Sequence, residues 1–297
     1  MRAPCANRCL RWALVLFTAI LVTSCATHRF VANSMYPQLP TSVEYGGILE
    51  EQVCKCSVDG PTERRMLVYL PKTYYGSDKS YPVLYLLHGA RGNELSWIEK
   101  GDLLHNIDSL NAAGLMREMI VVLPNVNQYD DDRDFNKSRI KGAVESFFET
   151  DGAVEAAFVS DVVNVVDSLY RTLPDKEHRA IAGLSIGAMQ AMHISANSPD
   201  MFGYVGLFSA MVHPVLRKSN YSAFYKDFND KLETQFATPP MLYTIMIGNT
   251  DFYYPRMKRY ARYLKREGYP HELVVVSGGH QWYNWTDFAN QFMQRLF

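Results

Sequence analysis

Three residue types, set in a particular order along the chain, are suited to nucleophilic attack on an acyl carbon. The stretch Arg179-Ala-Ile-Ala-Gly183-Leu184-Ser185-Ile186-Gly187 runs from an apolar, strand-like segment into Gly-x-Ser-x-Gly, and a helix-like segment follows. A serine on so tight a strand-to-helix turn has strained backbone angles and crowded neighbours, which is why glycines flank it. The turn lifts the Ser185 hydroxyl above the sheet and near a helix N-terminus, where developing negative charge is favoured. Such a nucleophile calls for an acid and then a histidine downstream, each in a loop after a strand. Leu242–Ile247 leads into Gly248-Asn249-Thr250-Asp251, and Glu272–Ser277 leads into Gly278-Gly279-His280. His280 is placed to take the Ser185 proton and return it to a leaving group, with Asp251 orienting the imidazole and stabilising its protonated form.

The remaining candidates are weaker. His88 precedes a glycine turn, and His178, His193, His213 and His271 read as core or surface residues. Asp287 falls in or at the start of the last helix, the wrong place for the acid. Upstream, Val83–Leu87 ends in His88-Gly89-Ala90-Arg91-Gly92. A nucleophile of this kind needs backbone N–H groups aimed at the developing oxyanion, and the amides of Ala90 and Ile186 fill that role.

The elements that must hold these residues alternate strand with helix. Strands are expected at Met66–Leu70, Val83–Leu87, Met119–Leu123, Arg179–Ala182, Gly203–Phe208, Leu242–Ile247 and Glu272–Ser277. Several show little polar alternation, as strands covered on both faces do. Ala153–Arg171 sets Val154, Phe158, Val162, Val165, Val166 and Leu169 along one helical stripe, and a further helix runs from Pro255 to Glu267 before Gly268. The basic residues of the latter read as a solvated face. The last helix is expected to start from Thr286 as N-cap and to bury Phe288, Phe292 and Leu296. This order predicts an α/β fold, a mostly parallel sheet between helices, in one domain over 48–297.

Composition excludes rather than identifies. The chain has 297 residues with 30 Lys+Arg against 31 Asp+Glu, 47% hydrophobic and 13% aromatic. That balance argues against nucleic acid as a partner, which calls for a basic domain, and against a disordered chain. The five cysteines are Cys5, Cys9, Cys25, Cys54 and Cys56. Cys54 and Cys56, two apart on an extended segment, suit a disulfide poorly and lack the neighbours of a metal site. They read as buried or half-buried thiols on a strand.

The N-terminus reads as an address. Arg2, Arg8 and Arg11 precede an apolar run from Leu10 to Val22, too short for a confident membrane span. Its end, Leu21-Val22-Thr23-Ser24-Cys25, resembles a bacterial lipobox, in which the cysteine is lipidated and becomes the mature N-terminus. The expectation is a signal peptide over 1–24, a lipidated tether over 25–47 and export as a membrane-anchored lipoprotein, periplasmic or at the cell surface.

Taken together, Tyr81-Pro-Val-Leu-Tyr-Leu-Leu-His-Gly89, Trp97, Gly183-Leu-Ser-Ile-Gly-Ala-Met-Gln190, Gly248-Asn-Thr-Asp251-Phe-Tyr and Gly278-Gly-His280-Gln-Trp282 resemble the esterase D-type family. Within it, the chain is most similar to bacterial feruloyl and acetylxylan esterases of carbohydrate esterase family 1. The likeness runs from about residue 48 to the C-terminus. It implies an α/β-hydrolase fold, no metal and no cofactor, with Ser185, Asp251 and His280 as the triad. It further implies a serine esterase acting on ester-decorated polysaccharide or its fragments. Ala188 stands where the family often has a second glycine after the nucleophile. The stretch from Asn125 to Phe148 matches family patterns poorly, and its acidic run Tyr129–Asp134 lacks the spacing of a calcium loop. Trp97, Phe252, Tyr253, Trp282 and Trp285 are candidates to stack on a phenolic acyl group or a sugar ring, and each also fits a scaffold role. Two other enzyme readings stand beside this one, a siderophore (triscatecholate) esterase and an acyltransferase on the same scaffold. A reading of another class is a carbohydrate-binding lipoprotein that has kept the fold and lost catalysis.

Overall fold

Five strand segments are apolar at almost every position, so they are stable only where both faces of a sheet are covered. A computed structural model describes residues 46–58, 63–127, 149–212, 215–216 and 220–297, all within one compact unit from Glu44 to Phe297. In it, β1 (Ile48–Lys55), β2 (Glu63–Leu70), β3 (Val83–Leu87), β4 (Ile120–Pro124), β6 (Arg179–Leu184), β7 (Tyr204–Phe208), β9 (Leu242–Gly248) and β10 (Glu272–Val276) form one eight-stranded sheet. The spatial order is β1-β2-β4-β3-β6-β7-β9-β10. β1 and β2 pair antiparallel, β2 runs antiparallel to β4, and every other pair is parallel. A separate parallel pair joins β5 (Glu149–Thr150) to β8 (Val215–Leu216). The chain thus has the α/β-hydrolase architecture, and β3 and β6, whose C-terminal ends carry the key loops, lie side by side at its centre. All residues of β3, β4, β6 and β9 are buried.

Helices α1 (Ser96–Glu99), α2 (Leu103–Ala112), α3 (Ala153–Phe158), α4 (Asn164–Leu169), α5 (Ile186–Asn197), α6 (Phe228–Ala237), α7 (Tyr254–Arg266) and α8 (Trp282–Met293) accompany the sheet. Two differ from expectation. The single stripe over 153–171 is broken by a π turn, Val159–Val163, between α3 and α4. The residue it inserts rotates the inward face, so Val163 becomes fully buried while Leu169, expected on the stripe, is 52% exposed. The last helix starts at Trp282, with Gln281 as N-cap, a turn before Thr286. Asn284 and Trp285 are buried with Phe288, which extends the helical period of inward residues back through that extra turn.

The cysteine expectation is met in part. Cys54 is a buried thiol on β1 that donates to the Arg64 carbonyl at 3.4 Å, and Cys56 is half-buried just past the strand end, with no disulfide at either among the described residues. Burial pushes the Cys54 thiol up to about 11. The signal peptide, Cys25, the tether to residue 45 and the acidic run of 129–134 lie outside the described residues. No helix among the described residues is long and apolar enough to cross a membrane.

Candidate active site

The serine turn is built by close packing of backbone against backbone. β6 delivers the chain to Ser185, whose backbone sits at φ 56° and ψ −114°, and α5 begins at the next residue. Non-glycine residues held at positive φ cost on the order of 1–3 kcal/mol and persist only where the surroundings impose them. Here the Ser185 amide donates to the Phe208 carbonyl at the end of β7 (2.8 Å), and the Met211 amide donates to the Ser185 carbonyl (3.2 Å). The glycines follow from space. A Cβ on Gly183 would lie 2.6 Å from the Gly187 carbonyl carbon, and one on Gly187 would lie 2.1 Å from the His88 carbonyl oxygen. The second contact presses the first turn of α5 against the loop after β3.

The three residues singled out in the sequence meet. His280 Nε2 lies 3.0 Å from Ser185 Oγ, and His280 Nδ1 lies 2.9 Å from Asp251 Oδ2. With the aspartate accepting at Nδ1, the ring carries its proton there and presents a lone pair to the serine. Asp251 is buried, which alone would raise its carboxyl, but hydrogen bonds from His280 and from the Tyr253 amide (2.8 Å) outweigh burial and hold it below the usual carboxylate value. The loops bearing acid and base are stitched together. The Thr250 amide donates to the Gly278 carbonyl (3.0 Å) and the Asn249 amide to that of Val276 (2.8 Å), while Asn284 Nδ2 donates to the Gly279 carbonyl (2.8 Å).

Facing them, the loop after β3 carries Ala90. Among the described residues no backbone carbonyl accepts from the Ala90 or Ile186 amide. A Cβ on Gly89 would lie 3.5 Å from Ser185 Cβ, so the loop after β3 passes beside the serine. Backbone N–H groups at such a turn and at a helix N-terminus are the kind a developing oxyanion accepts from.

His88, set aside in the sequence as the residue before a turn, holds this loop. It is fully buried, its Nε2 accepts from the Val126 amide at 3.1 Å, and its Nδ1 lies 2.8 Å from the Gly89 carbonyl oxygen. Acceptance at Nε2 puts the proton on Nδ1, which therefore donates to Gly89. Burial pushes the imidazole down to about 4, so it stays neutral and keeps both bonds near neutral pH. The available signal was its position at the end of a buried strand, where a titratable side chain needs a partner.

The aromatic candidates divide. Trp97 is 1% exposed and spends its indole N–H on the Leu87 carbonyl (3.1 Å). It is scaffold beneath the site, and its ring-edge contact with Trp282 at 5.3 Å passes that support outward. Tyr253 and Trp285 are buried against the edge of the His280 ring at 5.4 Å and 4.8 Å, which makes them walls of the histidine's slot. Phe252 is 64% exposed with its ring 4.4 Å from that of His280, and Trp282 is half-buried. Those two offer ring surface to a ligand. Among the described residues no three His, Cys, Asp or Glu side chains cluster so as to hold a metal ion.

Set beside known proteins, the chain matches the model of the Esterase family over residues 57–251, more than half of its length. It is 30% identical over 237 residues to the endo-1,4-beta-xylanase/feruloyl esterase of Xylanibacter ruminicola, covering 77% of this chain. It spans only 29% of that relative's length. Among solved structures it is similar to a CE1 ferulic acid esterase of Anaeromyces mucronatus in complex with ferulic acid, with a TM-score of 0.64 and 24% identity. That match covers 88% of this chain and 94% of the other. A feruloyl esterase module from Clostridium thermocellum complexed with sinapinate matches with a TM-score of 0.67 at 17% identity, covering 91% and 96%. At these identities the structures establish the α/β-hydrolase fold.

Proposed function

Because this chain belongs to the Esterase family, we propose that it is a serine esterase acting on feruloyl or acetyl esters of plant polysaccharides such as xylan, or of their oligosaccharides. The observation that carries the mechanism is the unbroken hydrogen-bonded line from Asp251 through His280 to Ser185. His280 Nε2 takes the hydroxyl proton as Ser185 Oγ attacks the acyl carbon, and the imidazolium formed is stabilised by the buried Asp251. The carbonyl oxygen becomes an oxyanion facing the Ala90 and Ile186 amides, where one lost donor typically costs about 10²–10³ in rate. Collapse expels the sugar alkoxide, which takes the proton from His280 and leaves the acyl group on Ser185. His280 then removes a proton from water, the hydroxide attacks the acyl carbon, and the acid departs as Ser185 recovers its proton.

Two observations support a phenolic acyl group. The relative from Xylanibacter ruminicola is named for feruloyl esterase activity. The exposed Phe252 ring beside His280 offers an aromatic face where such a group would arrive. A panel of methyl ferulate, acetylated xylan and a triscatecholate ester tests the reading, with Ser185→Ala as the inactive control. Turnover of methyl ferulate or acetylated xylan, abolished in Ser185→Ala, supports it. Preference for the catecholate ester would move the substrate to a siderophore. Retention of polysaccharide with wild type and Ser185→Ala equally inert would leave a binding protein.

The proposal includes lipidation at Cys25, supported by the basic, apolar and small-residue order of residues 2–25. Expressed in a bacterium, the chain should partition with membranes, and Cys25→Ala should release it as an exported soluble protein. Unchanged membrane retention of that variant would contradict the anchor.

A further inference from the structure

Glu155 is an acidic side chain in the interior that pairs with no cation among the described residues and has no part in the steps above. It lies on α3, 2% exposed, and three side chains converge on it. Tyr225 donates its hydroxyl at 2.6 Å, Gln190 its amide nitrogen at 2.9 Å and Thr150 its hydroxyl at 3.1 Å. Leaving a charge in the interior without good partners costs several kcal/mol, so a site built this fully is set to keep a carboxylate in place.

Gln190 gives the network a direction. It sits on α5, one turn beyond Ser185, and its Nε2 also donates to the Val126 carbonyl at 3.1 Å. Both acceptors face the same nitrogen, which settles the orientation of the amide. Its Oε1 is buried and, among the described residues, has no partner. An orphaned amide oxygen costs about 1–3 kcal/mol, and a leucine would fill the space without that cost. Gln190 is therefore held by what its two N–H groups do. Val126 is gripped from both sides, its carbonyl by Gln190 and its amide by His88 Nε2. The His88 Nδ1–H in turn meets the Gly89 carbonyl, which also accepts from the Gly92 amide at 3.0 Å. The Gly89 carbonyl and the Ala90 N–H belong to one planar trans peptide and point in opposite directions. Whatever fixes that carbonyl aims that N–H.

We propose that Glu155 and Gln190 are positioning residues of the oxyanion hole, acting through Val126 and His88 on the peptide that carries the Ala90 amide. The inference rests on the serine-esterase reading and adds to it a relay from a carboxylate on α3 to the site of charge development. A misaimed donor weakens the transition state and leaves the ground-state ester almost untouched, so the effect falls on kcat rather than on KM.

The test uses p-nitrophenyl acetate turnover per active site titrated with a fluorophosphonate, together with inhibition by phenylboronic acid, whose serine adduct mimics the tetrahedral state. Glu155→Gln and Gln190→Leu should each lower kcat at least about tenfold. KM should stay within about threefold, and the boronate inhibition constant should rise in step with the loss of kcat. Gln190→Leu removes the orphaned oxygen and so remains informative if Glu155→Gln fails to fold. Tyr225→Phe, which removes a hydrogen bond to the same carboxylate but no link of the relay, should stay within about twofold of wild type. The proposal is overturned if Gln190→Leu keeps its kcat per titrated site, if boronate binding is unchanged while kcat falls, or if Tyr225→Phe falls as far as the others. A Ser185→Ala variant that remains active would instead overturn the underlying reading.

Discussion

Gly187→Ala puts the geometry of the site under direct strain. A Cβ at this position would lie 2.1 Å from the His88 carbonyl oxygen and 2.9 Å from that of Leu87. Ordinary contact begins near 3.4 Å, so the shorter approach demands a separation of about 1.3 Å between α5 and the loop after β3. Neither partner can yield by rotating a side chain, because both are backbone. The loop is further tied through the Trp97 indole to Leu87 and through His88 to Val126, so the displacement falls on the gap between Ser185 and the Ala90 amide. Misplacement of reacting groups by about 1 Å costs on the order of 10²-fold in rate, or about 2.7 kcal/mol of transition-state stabilisation. Overpacking of this kind also costs about 1–3 kcal/mol of stability. Steady-state hydrolysis of p-nitrophenyl acetate should show kcat/KM falling by about two orders of magnitude while circular dichroism retains the native spectrum. A folded Gly187→Ala enzyme within threefold of wild type would refute the claim that this contact sets the spacing of nucleophile and oxyanion hole.

Other outcomes follow from the same geometry. Asp251→Asn should keep the fold but reduce kcat by about 10³–10⁴, because an amide donor facing His280 Nδ1 selects the wrong tautomer. Steady-state kinetics at saturating ester read it directly. Phe252→Ala should raise KM for aryl acyl esters about two- to tenfold with acetyl esters little changed, since the exposed ring can only stack. Equal effects on both substrates would point to a role through His280 instead. Stability should fall as the pH drops. His88 and His193 are buried neutral, held by burial at about 4 and about 3, so the unfolded chain binds protons first. The stability they contribute is whole above about pH 6.5 and is lost toward pH 4, by up to about 1.4 kcal/mol per pH unit for each histidine. The lowered carboxyl of Asp251 acts in the same direction. Urea unfolding between pH 7 and 4.5 checks this, and His193→Phe should make the dependence shallower.

Much of the site could be read from the sequence because its signals are local. Gly183-x-Ser185-x-Gly187 after an apolar run specifies a turn whose crowding only glycine relieves, and the acid and histidine each follow a strand of the same character. Strand positions were legible where both faces are buried, as at Val83–Leu87, which matches residue for residue. The misses lie where packing over long sequence distances decides. The π turn at Val159–Val163 leaves no mark in a helical hydrophobic pattern except the shifted burial it causes. Trp97 looked like a candidate ligand platform, yet its indole is used up on Leu87, ten residues earlier in the chain. His88 looked like part of a turn because its partner, the Val126 amide, stands 38 residues away. Glu155 and Gln190, 35 residues apart, meet only in the fold.

In the proposed mechanism Ser185 Oγ, activated by His280, receives the acyl group. Treating the protein with a fluorophosphonate that mimics the tetrahedral state, then mapping the adduct by peptide mass spectrometry, tests it most directly. One adduct per chain is expected, on the peptide bearing Ser185, with esterase activity lost in proportion to labelling and no labelling in His280→Ala on the same timescale. An adduct on another residue, or activity that survives complete modification of Ser185, would contradict it.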